Sequence, residues 1–423
     1  MKTRFTNLLF VVPTRNRADL AIHAVQSVLE QGHDEATVVV SDNSTVDAES
    51  ATLLEFYQKS SNDRLRYMRP SEPLSMTQHW QWAIEQVLEQ YDASHFSYLT
   101  DRMVLRPGEV GKLVELAKSH PLKVISYNHD RLVDHMRPIR VEQSAWTGEV
   151  FKLPSSTLLN LTAGAFLAVP ALPRMLNCMA PRSVLCAIHE RHGNVFNSVN
   201  PDFSFCYRCL ELEESILYYD KSPLIQHALH RSNGASLERG MPNRDHVDFL
   251  THVGEGKMTQ FTYVPQIRTV GNTVLNEYLL VKRQTKSVKF PDVDRELYLE
   301  SLAGEIERIQ DATLKADLWT VLNTHGYVRS KHRMARLKWL LSRLRSPRSI
   351  LNALLMLSTS SFGGAIWLAL AHRTGIRPPR LNRLEFDTVE KALSYAVHLS
   401  PRKARTPGHL YYLGKPSSLQ RVT

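Results

Sequence analysis

Residues Leu8 to Ser44 read LLFVVPTRNRADLAIHAVQSVLEQGHDEATVVVSDNS. The apolar run Leu8–Val12 ends at Pro13, and the polar turn Thr14-Arg15-Asn16-Arg17 leads into a stretch whose apolar residues (Leu20, Ala21, Ala24, Val25, Val28, Leu29) recur at helical spacing. The pattern predicts strand, loop and helix. A second run rich in β-branched residues, Thr37–Val40, follows Gly32 and ends in Ser41-Asp42-Asn43-Ser44. Two buried strands joined by such a helix must run parallel with a right-handed crossover, so both polar clusters fall at one carboxyl edge of a sheet. That edge holds the ligand crevice in open α/β sheets, which makes Thr14, Arg15, Asn16 and Asp42 candidates to line one site.

In order and spacing, VVPTRNRADL, SVLEQ and VVVSDNST resemble the opening of family 2 glycosyltransferases. The family pattern is an apolar strand, Pro-Thr-x-Asn-Arg, a Ser-x-x-x-Gln helix and a strand ending in Asp-Asp-x-Ser, and Ser41 stands where a further Asp is often found. The resemblance implies a GT-A, nucleotide-diphospho-sugar transferase-like fold: a mostly parallel α/β sheet flanked by helices, here with a helical C-terminal appendage. It also implies that Pro13, Thr14 and Asn16 shape a nucleotide pocket and that Asp42 hydrogen-bonds the base. The plainer alternative is a generic α/β sheet whose loops only turn.

The chain has 423 residues, 43% of them hydrophobic, enough for a large domain with a real core plus an appendage. Its net charge of +10 is concentrated toward the C-terminus. Between Leu318 and Leu384 there is no Asp or Glu, while Arg329, Lys331, Arg333, Arg336, Lys338, Arg343, Arg345 and Arg348 crowd one segment. Such a block points to an anionic surface as partner. Met1-Lys2-Thr3-Arg4 leads directly into a core strand without signal-peptide character, so a cytoplasmic protein is expected. Four cysteines make no disulfide framework; Cys206 and Cys209 form a C-x-x-C that is either a zinc half-site or a pair of buried thiols.

Further along, Asp47–Gln58 reads as a helix and Leu65–Met68 as a strand, and Ser75-Met76-Thr77-Gln78 has the form of a capping box. The helix it opens carries Trp80 and Trp82, which either stack on a nucleotide or belong to the core. The next strand, Phe96–Leu99, ends in Thr100-Asp101-Arg102 and then Pro107-Gly108. By resemblance this strand should end in a D-x-D motif that holds Mg²⁺ or Mn²⁺ against the diphosphate. The two carboxylate positions fall on Thr100 and Arg102, leaving Asp101 to hold a ribose hydroxyl or, at most, a lone metal contact. A carboxylate beside a guanidinium is a poor site for a hard cation, whereas Arg102 is suited to neutralise diphosphate directly.

Gly108–Ser119 reads as helix and Leu122–Tyr127 as strand. From Asn128 to Lys152 the pattern weakens into a polar stretch with His129, Arg131, His135, Arg137 and Arg140, either an acceptor-binding element or an exposed loop. Leu159–Val169 reads as buried strand and turn, with Gly164 allowing close approach of another element. Asp202, with Arg208 six residues on, matches the family's catalytic carboxylate, the base that takes the acceptor hydroxyl's proton; simple helix capping would also place a carboxylate there. Pro201 replaces the Glu that commonly precedes it. Ile216–Tyr219 reads as strand, and His227 and His230 beyond it are candidates for diphosphate or metal contact.

The resemblance fades after about residue 240. This suggests a catalytic domain over 1–240, a helical extension over 241–328 with helices at Tyr263–Val281 and Arg295–Val321, and a basic C-terminal region over 329–423. In Arg329–Arg348 the cations interleave with Met334, Leu337, Trp339, Leu340, Leu341 and Leu344; Ile350–Ala371, without charged residues, follows. Attachment to the inner membrane face, by lying on it or spanning it, and a buried helical subdomain both fit; no motif indicates nucleic acid. The expected function is glycosyl transfer, with inversion, from a nucleotide-sugar donor to a glycan or lipid-linked acceptor in surface polysaccharide or glycolipid assembly. The rival reading is a degenerate relative that binds nucleotide or glycan without turnover. A nucleotidyltransferase would need a Gly-rich phosphate loop, which PTRNRAD lacks.

Overall fold

The computed structural model describes residues 5–135, 137–143, 146–167, 169–240, 247, 255–343, 385–399 and 420–422. The opening stretch forms β1 (Thr6–Thr14), α1 (Ala18–Leu29) and β2 (Ala36–Asp42), with β1 and β2 parallel and Thr14 opposite Asp42. Next come α2 (Asp47–Lys59), β3 (Leu65–Met68), α3 (Met76–Gln90) and β4 (Ala93–Tyr98). β3 adds to β2 and β4 to β1, both parallel. Successive residues of β1 alternate between two cores: Leu8, Phe10 and Val12 pack with α1, while Leu9 and Val11 pack with α3. Burial on both faces is what a continuous apolar parallel strand requires. The capping box at Ser75 forms as expected, with reciprocal bonds between Ser75 and Gln78.

Beyond β4 lie β5 (Met103–Leu105), α4 (Glu109–Ser119), β6 (Ile125–Val133), β7 (Ile139–Glu142), β8 (Val150–Pro154), α5 (Ser155–Ala163), β9 (Cys178–Pro181), α6 (Arg182–His192), α7 (Pro201–Leu212) and β10 (Ser215–Gln226). β9 pairs antiparallel with both β4 and β6 and so joins the parallel N-terminal strands to β6, β10 and β8. The expected weakening after Asn128 is therefore corrected: β6 runs on to Val133, and β7 and β8 follow. Burial still alternates along β6, but Asn128 and Asp130 occupy its buried positions and mask the strand pattern.

Leu159–Val169 is likewise not a strand. It carries the end of α5, whose Leu158, Leu159, Leu161 and Thr162 are all buried, and a helix apolar on several sides has no strand-distinguishing period. Gly164 does permit a close approach: a Cβ there would lie 3.0 Å from Trp339 Nε1.

After α8 (Asn233–Arg239), the C-terminal half contributes α9 (Val270–Thr285), α10 (Arg295–Ile306), α11 (Ala312–Thr324) and α12 (Arg329–Arg343). The expected helix from Tyr263 starts only at Val270, because Pro265 interrupts the stretch before it, and the helix expected over Arg295–Val321 is broken, with Asp311 capping the second part through Leu314 N–H. Tyr278, Val281, Leu297 and Tyr298 of α9 and α10 belong to the same core as Leu9 and Val11. Ile350–Ala371 lies outside the described residues, and among those described no helix is long and apolar enough to cross a membrane.

Three short elements close the fold: β11 (Glu385–Phe386) pairs with β7, β12 (Gln420–Arg421) with β8, and α13 (Val389–His398) packs Ala392, Leu393 and Ala396 on Val104, Leu132, Ile139, Val141 and Ile225. Arg106 holds α13 in place. Its guanidinium donates to Asp130 Oδ2 at 2.6 Å, to Leu399 O at 3.1 Å and to Ala396 O, capping the helix's C-terminal carbonyls from a buried position. Breaking a buried ion pair from one side costs about 3–5 kcal/mol, because a lone charge remains. Arg106→Met is therefore expected to lower the denaturant midpoint and to speed amide exchange in 389–398, and the Arg106→Met/Asp130→Leu double variant to recover most of the midpoint but not the protection of α13.

Candidate active site

Three loops at the carboxyl edge of β1, β2 and β4 are tied into one rim. Asn16 adopts a left-handed conformation (φ 54°), which Asn tolerates better than most residues. Its Oδ1 accepts the N–H groups of Thr45 at 2.9 Å and Val46 at 3.0 Å, clasping the turn after β2. Arg15 Nη1 and Asn43 Nδ2 both donate to Leu74 O at 2.8 Å, fixing the loop that leads into α3. Asp101, just beyond β4, accepts from Thr14 Oγ1 at 3.1 Å and pairs with Arg17 at 3.3 Å. Arg17 also donates to Arg231 O at 3.0 Å, and Arg231 donates to Asn16 O at 2.8 Å, so two guanidiniums interlock behind the rim.

A cavity of about 1050 Å³ opens over this rim. Pro13, Thr14, Asn16, Asp101 and Arg102 line one side and Asp202, Phe203 and Arg174 another. Arg336 of the basic helix α12 reaches the same cavity and packs over Phe166 and Trp339.

Asp202 stands in the first turn of α7, after Pro201 at a position where the missing N–H costs nothing. It lines the cavity, and desolvation, only partly offset by Arg174 and by the backbone N–H groups of the helix's first turn, raises its pKa. The loop that delivers it is held from three sides. Gln81 Oε1 accepts the N–H groups of Val195 and Phe196 at 2.9 and 2.8 Å, Arg208 donates to Asn194 O at 2.8 Å, and Glu277 of α9 accepts from Ser198 Oγ at 2.8 Å. Arg208, expected from its spacing to Asp202, thus turns to the loop before the helix.

Residues 9–164 match the model of the family described as glycosyl transferase family 2. This part of the chain is a family 2 glycosyltransferase domain. The matched segment ends before Arg174, Asp202 and Glu277. No curated protein matches the chain. Among solved structures, S. aureus TarS is similar at 13% identity over 76% of this chain and 53% of its own, with a TM-score of 0.40; the chain thus spans about half the length of that protein. TarS 1–349 in complex with UDP is similar at 12% identity over 78% and 92% of the two chains (TM-score 0.42), and GalNAc-T7 with UDP, GalNAc and Mn²⁺ at 13% over 52% and 44% (TM-score 0.39).

Within the transferase domain, the residues where the family holds a divalent cation do not fit one. Asp101 is a single carboxylate already engaged by the Thr14 hydroxyl and the Arg17 guanidinium, and no group of three or more His, Cys, Asp or Glu side chains among the described residues could hold a metal. The C-x-x-C gives no such group either. Cys206, Cys209 and Cys178 are buried, and desolvation raises all three thiol pKa values. Trp80 belongs to the core, between Tyr98 and Phe196, though it also borders the cavity.

Three candidates stand off the cavity lining. Asp42 is fully buried, bonded to Ser44 N–H at 2.9 Å and Tyr67 O–H at 2.8 Å; burial raises its pKa, but these bonds and the Ser44 and Ser50 hydroxyls outweigh it and lower the net value. Asn43 reaches the lining in its place. His227 is buried behind Arg102, donating its backbone N–H to Arg102 O at 2.9 Å, and burial pushes its ring down to about 4, so it is neutral. His230 is exposed. Arg131, from the stretch read as an acceptor-binding element or an exposed loop, lines the cavity; Arg17, in the PTRNR turn, could have been proposed from its motif, and Arg174 and Glu277 carried no local signal.

Glu277 offers a direct test of the loop that places Asp202. Desolvation raises its pKa to about 8, against the Ser198 and backbone hydrogen bonds that lower it. Its folded pKa lies above the unfolded value of about 4.5, so folding is most favoured below pH ~4.5 and loses stability as pH rises toward 8, by roughly 1.4 kcal/mol for each pH unit between the two. Glu277→Gln keeps the acceptor for Ser198 and removes the ionisation. Thermal melts from pH 4 to 9 should show the variant gaining over wild type as pH rises and equal to it at pH 4.

Proposed function

We propose that the chain is an inverting glycosyltransferase that moves a sugar from a nucleotide-sugar donor to an acceptor hydroxyl, with arginine rather than metal neutralising the diphosphate. The observation that carries this reading is the cavity that joins the family 2 rim to a desolvated carboxylate at the start of α7. Pro13, Thr14 and Asn16 shape the nucleotide end, with Asp42 acting through Ser44 and Tyr67 to hold the adjoining turn. Asp101 sets Thr14 and Arg17, and Arg102 faces the departing diphosphate, where a guanidinium supplies paired donors without metal.

Asp202 takes the acceptor hydroxyl's proton as that oxygen attacks the anomeric carbon. The new C–O bond forms as the bond to the diphosphate oxygen breaks, the anomeric centre inverts, and the nucleoside diphosphate leaves. Desolvation makes Asp202 a stronger base than an ordinary carboxylate, which suits it to this step. Glycan or lipid-linked acceptors on the cytoplasmic face of the membrane fit the outer face of α12, where Arg333, Met334, Leu337 and Lys338 are exposed together. The setting would be surface polysaccharide or glycolipid assembly.

Asp202→Asn is expected to lower turnover by about 10²–10⁴ with donor binding retained. In a nucleotide-sugar panel read by thermal shift, one donor should stabilise the wild type equally with EDTA and with Mg²⁺ or Mn²⁺, and Arg102→Ala should abolish that shift. A shift that appears only with metal would return Asp101 to the metal role; unchanged biological activity of Asp202→Asn would favour the non-catalytic binder. Met334→Ser/Leu337→Ser should reduce sedimentation with phosphatidylglycerol vesicles while leaving donor binding intact.

A further inference from the structure

We infer that the acceptor carries an acidic group, a phosphate or a carboxylate, bound between Arg131 and Arg174 on the wall of the cavity beside Asp202. Two guanidiniums come together there. Arg131 projects from β6 and Arg174 from the segment before β9; both line the cavity, and both act electrostatically on His129 and on each other. Like charges held side by side oppose one another unless an anion lies between them.

The protein supplies little of that anion itself. Arg174 is oriented by Asn177, to whose Oδ1 it donates at 3.0 Å, and its guanidinium lies 5.4 Å from the centre of the Phe203 ring. The carboxylate that acts on it is Asp202, the reacting base. Arg131 forms no ion pair among the described residues, and its buried Nε has no hydrogen-bond partner among them. Glu142, its register partner on β7, lines the same cavity but is exposed and makes no ion pair with it. His129 adds no charge, since burial and the two arginines push its ring down to about 3. With its face over an aromatic ring and its Nε on a fixed amide oxygen, Arg174 keeps its two terminal nitrogens for a ligand, the edge suited to bidentate recognition of an oxyanion.

The location assigns the anion to the acceptor. The donor's diphosphate is accounted for at the opposite rim by Arg102, whereas Arg174 adjoins the group that deprotonates the incoming hydroxyl. The inference therefore rests on the reading of Asp202 as the acceptor-side base, and its test is built to separate the two.

The experiment is calorimetric titration of the full chain with glycerol 3-phosphate, glucuronate and glycerol, and separately with a panel of nucleoside diphosphates, on wild type, Arg131→Gln, Arg174→Lys and Arg102→Ala. Glycerol 3-phosphate or glucuronate should bind and glycerol should not, with the two anions distinguishing a phosphate site from a carboxylate site. Arg131→Gln should weaken the anionic probe at least tenfold and leave nucleoside diphosphate affinity unchanged, and Arg102→Ala should do the reverse. Arg174→Lys keeps the charge but loses the fork and the ring packing, and should weaken the probe with the fold intact by circular dichroism. The inference is overturned if no anion binds better than glycerol, if Arg131→Gln leaves probe binding unchanged, or if Arg131→Gln weakens the nucleoside diphosphate as strongly as the probe, which would make both arginines donor ligands. Arg131-dependent probe binding without binding of any nucleoside diphosphate would uphold the anion site and remove the nucleotide-sugar reading instead.

Discussion

Parallel pairing of β1 with β2 on one side and β4 on the other is the constraint on which the site depends. It sets Thr14 opposite Asp42 and brings the residue pair Thr100-Asp101 to the same edge. Three loops that are distant in sequence then face one another across a few ångströms, and short polar side chains suffice to lock them. Asn16 on Thr45 and Val46, Asn43 and Arg15 on Leu74, and Thr14 on Asp101 are all bonds between loops. Backbone groups that would otherwise lack partners at strand ends are satisfied in this way, so the rim stands ready before any ligand arrives.

The same pairing explains what could be read from the residues alone. β1, α1, β2, β3 and α3 have unbroken apolar periods and standard stop signals, and they fall within a residue or two of their expected limits. On β6, where the structure departs from the pattern, burial of polar groups is the cause. Asp130 occupies a core position on β6, where Arg106 reaches it, and Arg106 also caps the end of α13. Neither residue announces this pairing locally. The placements of Asp42 and His227 show the converse: motif position put them near the site, but the cavity lining is decided by neighbouring residues, Asn43 and Arg102.

The two sides of the cavity differ in how they are built. The rim over β1, β2 and β4 comes almost wholly from within the segment that matches the family, residues 9–164, and its geometry follows from the sheet. The loop that leads to Asp202, by contrast, is held by Gln81 of α3, Arg208 of α7 and Glu277 of α9, elements joined only by tertiary packing. Glu277 pays for that position by giving up its charge over much of the neutral range.

This division bears on how such a chain acquires a particular substrate. A rim fixed by sheet register tolerates little change without losing its shape, whereas a wall drawn from several elements can vary one side chain at a time. In this protein three arginines stand on that wall among carboxylates such as Glu142, Glu238, Glu300 and Glu305: Arg131, Arg174 and Arg336 come from β6, the segment before β9, and α12. The basic helix is thus part of the cavity as well as a surface feature. Trp339 seats it against Gly164, and Arg336 extends from that contact toward the cavity. A larger residue at 164 would press on Trp339 and shift Arg336 with it, so the helix, the glycine and the charge at the wall constrain one another.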